Sequence, residues 1–411
     1  MDREAKTKHF LSRVLREHYN NVEPILPPRF TMREYAFIYM GGSGMHRPVA
    51  FDTKKEVISF LRKKTPIHSY YSTAYYSNPY APMKDKDWLG ADLVFDLDAD
   101  HLPGGEELGY VEQLKLVRKK TKLLIDDFLL DDFGFDEDDI TINFSGHRGY
   151  HIHVRRKDVL PMSRQARREI VDYITGKGLD HDVILPKKVL EVDRFQEFST
   201  RAESPELPPE EEGGWRKRTR KLTIQLLKRW SSLPEGRVLE EMMQKHGIGK
   251  KTAQGLYKHL FTEGKWRLVV DEGILDIFPE KSKVKVDTFE KIIEGIIDEH
   301  NIQEVGEDIV GTTDEPVTGD TKRLIRLQNS IHAGSFLTVV TIPLDELGEF
   351  DPLEKAIPTY LSDKQYRLSF DRMPNTDSIQ IGDKEFEFGD EMEVPEYAVP
   401  FLISKFKAKL L

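Results

Sequence analysis

Hydrophobic positions in the first 180 residues switch repeatedly between two periods. Residues 3–19, REAKTKHFLSRVLREHY, place apolar groups at helical spacing among charges and predict an amphipathic helix. A proline-rich turn, NVEPILPPRF, follows, and REYAFIYM then alternates as a strand does. FDTKKEVISFLRKK returns to helical spacing, over about 54–64. The tyrosine-dense segment HSYYSTAYYSNPYAPM leads to LVFDLDADHLPG at 93–104, an apolar strand interrupted by an acid at every second position. Residues 106–132 read as a long amphipathic helix that Gly134 helps to stop. ITINF (140–144) and YHIHVRR (150–156) read as strands joined by the tight turn SGHRG (145–149). Ser163 stands as N-cap of the helix RQARREIVDYITGKG, which Gly176 and Gly178 end.

The pattern breaks at SPELPPEEEGG, residues 204–214, where Pro, Glu and Gly cluster without periodicity. WRKRTRKLTIQLLKRW then opens a mostly helical stretch to about 300, and short strands and turns return from DEPVTGDTKRLIRL onward. No internal repeat and no low-complexity tract is present. The expected organisation is a discontinuous domain, 1–203 with 301–411, interrupted by an inserted helical subdomain, 204–300.

Composition narrows the chemistry. Hydrophobic residues make up 38% and charged residues 32%, which suits a globular chain with a highly charged surface. No apolar run reaches membrane-spanning length, and the charged N-terminus lacks the apolar core of a signal peptide, so a cytoplasmic protein is expected. The absence of cysteine removes disulfides, thiolate nucleophiles and cysteine-ligated zinc or iron–sulfur sites. A metal would have to be held by Asp, Glu and His, which favours magnesium or manganese, or a His-rich site. The net charge of −10 argues against coating nucleic acid through bulk charge but leaves room for a local basic groove.

Three segments carry candidate chemistry. Asp96 and Asp98, at i and i+2 of a strand, project from one face, and two carboxylates so placed repel unless a cation lies between them. Paired strand carboxylates are what two-metal phosphoryl transfer requires, although a solvated acidic strand edge would show the same residues. In SGHRGYHIH, two glycines give room for backbone N–H groups to turn toward an anion, with Ser145, His147, Arg148 and His151 nearby. An ordinary hairpin with exposed basic residues reads the same way, and His151 with His153 forms a weak two-histidine metal pattern. Residues 313–335 hold Asp314 and Asp320, the basic run Lys322, Arg323 and Arg326, and then His332. A third carboxylate there would complete the metal site, and the cations suit a triphosphate or a nucleic-acid backbone; a charged strand with solvated ends is the alternative. Two further features suggest nucleic acid: GIGKKTA (247–253, with Lys245, Lys250 and Lys251) resembles the hairpin of helix-hairpin-helix elements, and Arg216–Lys221 is a basic cluster. An ordinary helix connection and a solvated helix start are the default readings of the two.

Taken in order, DLVFDLDADH, SGHRGYHIHV and DEPVTGDTKRLIRLQNSIHAGS resemble the small catalytic subunit of archaeal and eukaryotic replicative DNA primases, the archaeal branch above all. REYAF, STAYYSNP and KDWLGADLVFDLDADH extend the resemblance over roughly 1–180 and 300–400. The resemblance implies an α/β (α+β) fold with mixed, antiparallel-rich sheets and flanking helices. It also implies a nucleotidyltransferase that starts primers de novo on single-stranded DNA from NTPs or dNTPs. The family's metal aspartates match Asp96, Asp98 and Asp314, the last preferred over Asp320 for its spacing from His332, and two magnesium or manganese ions are implied. Its triphosphate contacts match Ser145, Arg148, His151, Arg326 and His332, with His147 where relatives often have Arg or Lys, and Arg47 a further match. The large primase subunit is the implied partner. Without cysteine, the Cys/His zinc knuckle of many relatives is not expected here. A repair polymerase of the same superfamily, or a non-catalytic nucleic-acid-binding subunit, are the alternatives, and Asp100 has no assigned part.

Overall fold

The computed structural model describes residues 3–42, 44–99, 108–192, 201–244, 246–279, 284–300 and 322–411. The chain begins with α1 (Arg3–Asn21), β1 (Tyr35–Ile38), β2 (His46–Val49), α2 (Lys54–Lys64), β3 (His68–Ser72), β4 (Ala74–Tyr76), β5 (Trp88–Ala91) and β6 (Leu93–Asp98). It continues through α3 (Tyr110–Leu123), β7 (Ile140–Phe144), β8 (Gly149–Val154) and α4 (Arg164–Ile174). Next come α5 (His181–Ile184), β9 (Lys187–Val192), β10 (Arg201–Pro205), α6 (Gly214–Ser231), α7 (Glu235–Gln244), α8 (Lys250–Tyr257), α9 (Trp266–Glu272) and α10 (Val286–His300). The last part holds β11 (Leu324–Arg326), β12 (Val340–Ile342), α11 (Pro352–Lys355), β13 (Gln365–Ser369), β14 (Ser378–Ile381), β15 (Lys384–Glu387), β16 (Glu391–Pro395), α12 (Val399–Phe406) and β17 (Lys409–Leu410).

These elements form two compact units, Met1–Thr175 with Gln303–Leu411, and Gly176–Ile302. The smaller unit starts where α4 ends and so takes in β9 and β10, ahead of the compositional break at 204–214. No described helix is long and apolar enough to cross a membrane.

In the larger unit two four-stranded antiparallel sheets position the candidate site. One runs in the order β11-β3-β1-β2 and the other β12-β7-β8-β6. The second sheet turns Leu93, Phe95, Leu97, Ile152 and Phe144, all nearly without exposure, into the core. Its opposite face is polar, and side chains of the first sheet meet it there. Tyr71 of β3 stacks on His153 of β8 at 6.2 Å between ring centres. Gln328 donates to Asn143 Oδ1 at 3.3 Å, and Thr341 does so at 2.8 Å.

Local sequence explains the flanking helices. The Thr53 hydroxyl accepts from Glu56 N–H and starts α2, and Ser163 accepts from Ala166 N–H and starts α4, as its position predicts. The helix expected over 106–132 is α3 from Tyr110, continued by a π-helical run, Leu124–Asp132, in which Leu124, Ile125, Phe128 and Leu129 are fully buried. Part of its expected start lies outside the described residues. α1 is tied to the C-terminal third through Arg13, which bridges Glu17 and Glu396, and through His18 Nε2, 2.8 Å from the Asn329 carbonyl. Beyond it lie the sheet β16-β13-β17 and the β14–β15 hairpin.

In the smaller unit Trp230, Leu227, Val238, Met242, Leu256 and Leu260 form a helical core. GIGKKTA joins α7 to α8, with Lys250 and Lys251 exposed in the first turn of α8 and Lys245 outside the described residues. The basic cluster 216–221 differs from a solvated patch. Arg218 is buried over the Trp215 ring, Arg220 donates to the Pro208 carbonyl and Arg216 pairs with Glu212, so Lys217 and Lys221 are its exposed members.

Candidate active site

Strand parity places the two acids. β6 pairs with β8 so that Asp96 faces His151 and Asp98 faces Gly149, with both carboxylates on the polar side of the sheet. Both are partly buried, with side chains 15% and 29% exposed. Gly149 is a steric requirement here. A Cβ at that position would lie 2.4 Å from the Leu97 carbonyl oxygen and 3.2 Å from Asp98 Cα, so a side chain would force β6 and β8 apart beside the acid.

The turn between β7 and β8 is closed by Ser145 N–H donating to the Gly149 carbonyl at 2.9 Å. The Ser145 hydroxyl oxygen accepts from Gly149 N–H at 3.2 Å and from His147 N–H at 3.4 Å. Two turn amides, those of His147 and Gly149, are therefore spent on Ser145. The Ser145 O–H is a further donor in the turn. Tyr110 of α3 anchors the turn by donating to the His147 carbonyl at 2.6 Å. Gly146, at φ 85°, supplies both the left-handed turn and room for His332, since a Cβ there would stand 2.8 Å from His332 Cβ.

A cavity of about 230 Å³ opens between these parts. Asp96, Asp98 and His151 line it from β6 and β8, Ser145 and His147 from the turn, Tyr70 from β3, and Arg323 and Arg326 from the two ends of β11, with His332 closing it. Arg323 donates to Asp96 Oδ2 at 2.6 Å. Arg326 lies over the Tyr70 ring at 4.7 Å and donates to His68 Nδ1. Arg148 reaches Asp98 at 3.8 Å and does not line the cavity; neither does Arg47, which pairs with Glu34 at 2.7 Å on β2. Asp314, Asp320 and Asp100 lie outside the described residues.

The histidines act as neutral donors and acceptors. Burial lowers His151 to about 4, and the nearby Asp96 only partly offsets this. Burial and then Lys405 lower His147 to about 3, and burial and then Arg326 lower His68 to about 4. His332 is held below its ordinary value by burial and by Arg326. Gly334 N–H donates to His332 Nδ1 at 3.0 Å, so the neutral ring carries its proton on Nε2. His147 stacks flat on His332 at 4.8 Å between ring centres. At neutral pH the cavity thus presents two carboxylates on one side and two guanidiniums with neutral N–H and O–H donors around them.

Asp92, one residue before β6, is a feature that the sequence pattern does not reveal. It is 1% exposed, yet Arg33 donates to it at 3.0 Å, Arg155 at 3.0 Å and the Tyr75 hydroxyl at 2.5 Å, with His153 at 3.5 Å. Burial alone would raise its carboxyl; Arg33, His153 and Arg155 outweigh that and hold it well below the usual carboxylate range. Arg167, buried at the start of α4, donates to the carbonyls of Asp92, Ala91 and Val159. The root of the strand that carries Asp96 and Asp98 is fixed by this network. His153 belongs to it rather than to a metal centre, and no cluster of three metal-ligating side chains exists among the described residues.

Residues 95–342 match the family model of the DNA primase small subunit. The DNA primase small subunit PriS of Methanothrix thermoacetophila is 38% identical, with 98% of each chain covered. PriS of Methanococcoides burtonii is 37% identical over 98% of each chain, and that of Methanocella arvoryzae 36% over 86%. The chain belongs to the DNA primase small-subunit family. As a primase small subunit it is a nucleotidyltransferase of DNA replication, and its mixed α/β architecture is the one the resemblance implies. The matched segment spans the Asp pair, the β7–β8 turn, Arg323, Arg326 and His332. His68 and Tyr70 were not anticipated as part of the site. Their only sequence signal is that they stand at i and i+2 on β3, and so share a face.

Proposed function

We propose that this primase subunit synthesises short primers de novo on single-stranded DNA, joining NTPs or dNTPs at the cavity between β6, β8 and β11. One observation supports this most directly: Asp96 and Asp98 open onto the same cavity as Arg323, Arg326 and His332. Carboxylates for cations and donors for phosphate are thus within one small space. Both acids offer hard oxygen donors on one strand face, which fits magnesium or manganese, and Asp314 is the proposed third ligand. Bound there, two such ions would lower the pKa of the attacking 3′-hydroxyl and stabilise charge as pyrophosphate leaves.

The remaining work falls to the chain's own side chains. Arg326, set by His68 and Tyr70, presents its guanidinium to an incoming triphosphate. His332, its tautomer fixed by Gly334, donates from Nε2 without adding charge. Ser145 donates its hydroxyl proton from the turn, and His147 supports His332 from behind by stacking. His151 stays neutral beside Asp96. Arg148 and Arg47 would reach nucleotide only by leaving Asp98 and Glu34. The large primase subunit is the proposed partner, and the cytoplasm the proposed location.

The test is primer synthesis from labelled nucleotides on a single-stranded template with no primer supplied, with and without the large subunit. Products of two or more nucleotides that vanish in Asp96→Asn support the reading. Extension only when a primer is given would favour a repair polymerase, and metal-independent binding without incorporation would favour a non-catalytic subunit.

A further inference from the structure

A basic face on α2 has no part in the site described above. Lys55, Ile58, Ser59, Arg62 and Lys63 line one groove together with Glu23. Their spacing of i, i+3, i+4, i+7 and i+8 is that of a single helical stripe. Lys55, Ser59, Arg62 and Lys63 are exposed. Among the described residues no carboxylate pairs with Lys55, Lys63 or Lys64, whereas Lys54 is paired with Glu23 at 2.9 Å.

Helix stability explains only part of this stripe. Arg62, Lys63 and Lys64 stand in the last turn of α2, where cations favourably meet the negative end of the helix dipole. Lys55 stands in the first turn, where the same dipole disfavours a cation, and nothing in the described structure neutralises it. The half-buried Ile58 between the cations adds an apolar surface of the kind that nucleotide sugars and bases pack against.

The stripe also ends close in the chain to a residue that sets Arg326 at the cavity. Lys63 precedes His68 by five residues, so their Cα atoms lie within about 18 Å even if the chain is fully extended. From Lys55 to Lys63 the helix rises about 12 Å. That is long enough to run beside more than one phosphate of a strand.

We propose that the Lys55–Lys63 face of α2 is a phosphate-backbone track for the single-stranded nucleic acid that runs to the cavity. The proposal deepens the primer-synthesis reading and rests on it for the identity of the polyanion. It also accounts for how a chain of net charge −10 engages such a partner, through one local stripe rather than through bulk charge.

The test uses the full-length chain and a fluorescent 20-nucleotide single strand, with anisotropy measured from 50 mM to 300 mM salt and no divalent ion. Lys55→Gln/Lys63→Gln removes two cations that have no described partner, and Lys157→Gln/Lys384→Gln is a control of equal charge change. Each phosphate contact on a single strand contributes about 0.7 to the salt slope. The double variant is therefore expected to lose about 1.4 from the slope and to bind about 25-fold more weakly at 0.1 M salt, while the control keeps both. An unchanged slope, or no salt-dependent binding by the wild type, overturns the track. So does a variant whose only loss is affinity for the large subunit, because the face would then be a protein interface. Asp96→Asn separates the two claims: it should abolish synthesis and leave the slope intact. Wild-type chain that binds through this stripe but makes no primer would sink the catalytic reading and leave the track standing.

Discussion

Gly149→Ala is the sharpest test of how the site is built, because it adds one methyl group and no charge. Gly149 does not have a left-handed φ, so alanine meets no backbone strain there, and the whole effect comes from contact. The new Cβ would sit 2.4 Å from the Leu97 carbonyl oxygen, against about 3.4 Å for ordinary contact, so β8 and β6 must separate by about 1 Å at this point. Overpacking of this kind costs about 1–3 kcal/mol, which should lower the melting temperature by a few degrees while the protein remains folded. Asp98 is the residue paired with Gly149, so the displacement falls on its carboxylate. A misplacement of about 1 Å in a reacting constellation costs on the order of 100-fold in rate. Primer synthesis at 20 °C, with circular dichroism confirming the fold, should therefore fall about 100-fold in Gly149→Ala. Gly348→Ala is the matched control, since a Cβ there meets nothing within 4 Å. A folded Gly149→Ala enzyme with near-wild-type rate would refute the argument that strand closure positions Asp98.

Asp96→Asn should lose synthesis by 1,000-fold or more and lower stability by no more than about 1 kcal/mol in urea titrations, because its partly exposed pair with Arg323 contributes little. Asp92→Asn should do the reverse in weight: it leaves Arg33 and Arg155 facing an uncharged group in the interior, and a loss of about 3–5 kcal/mol by chemical denaturation is expected. His332→Gln should retain part of the rate, since an amide can replace the Nε2 donor, whereas His332→Leu should raise the apparent nucleotide KM at least tenfold. Acid should destabilise the fold through His18, which burial holds at about 4 against 6.5 when unfolded. Its folded pKa is depressed, so the stabilisation is complete above about pH 6.5 and falls by about 1.4 kcal/mol per pH unit below it, until the folded pKa is reached. Urea midpoints from pH 7 to pH 5 should show a shallower decline in His18→Gln than in the wild type.

What the sequence revealed follows strand and helix periodicity. A period of two was enough to put Asp96 and Asp98 on one face, whereas the register that sets His151 opposite Asp96 comes from the pairing of β6 with β8. The helix cap at Ser163 was equally readable, because it acts within three residues of itself. The first-sheet side of the cavity was not readable in this way. His68 and Tyr70 enter because β3 pairs with β11, bringing Tyr70 beside Arg326 across more than 250 residues of chain, and no local pattern encodes that pairing. Arg148, whose motif position suggests a phosphate contact, has its guanidinium 3.8 Å from Asp98.

Asp92 shows why charge in a sequence understates what a carboxylate does. Asp92, Asp96 and Asp98 share one strand face, yet the first is held by two arginines in the dry interior and the others open onto the cavity. An ionised carboxylate survives burial only with such partners, so the fold requires the Arg33–Asp92–Arg155 group to be complete. That requirement links the two sheets, since Arg33 precedes β1 and Arg155 follows β8. Asp96 is then the point where the same face meets solvent, with Arg323 as its partner in place of a buried one. A change of partner at Asp96 is therefore expected to cost the fold less than one at Asp92.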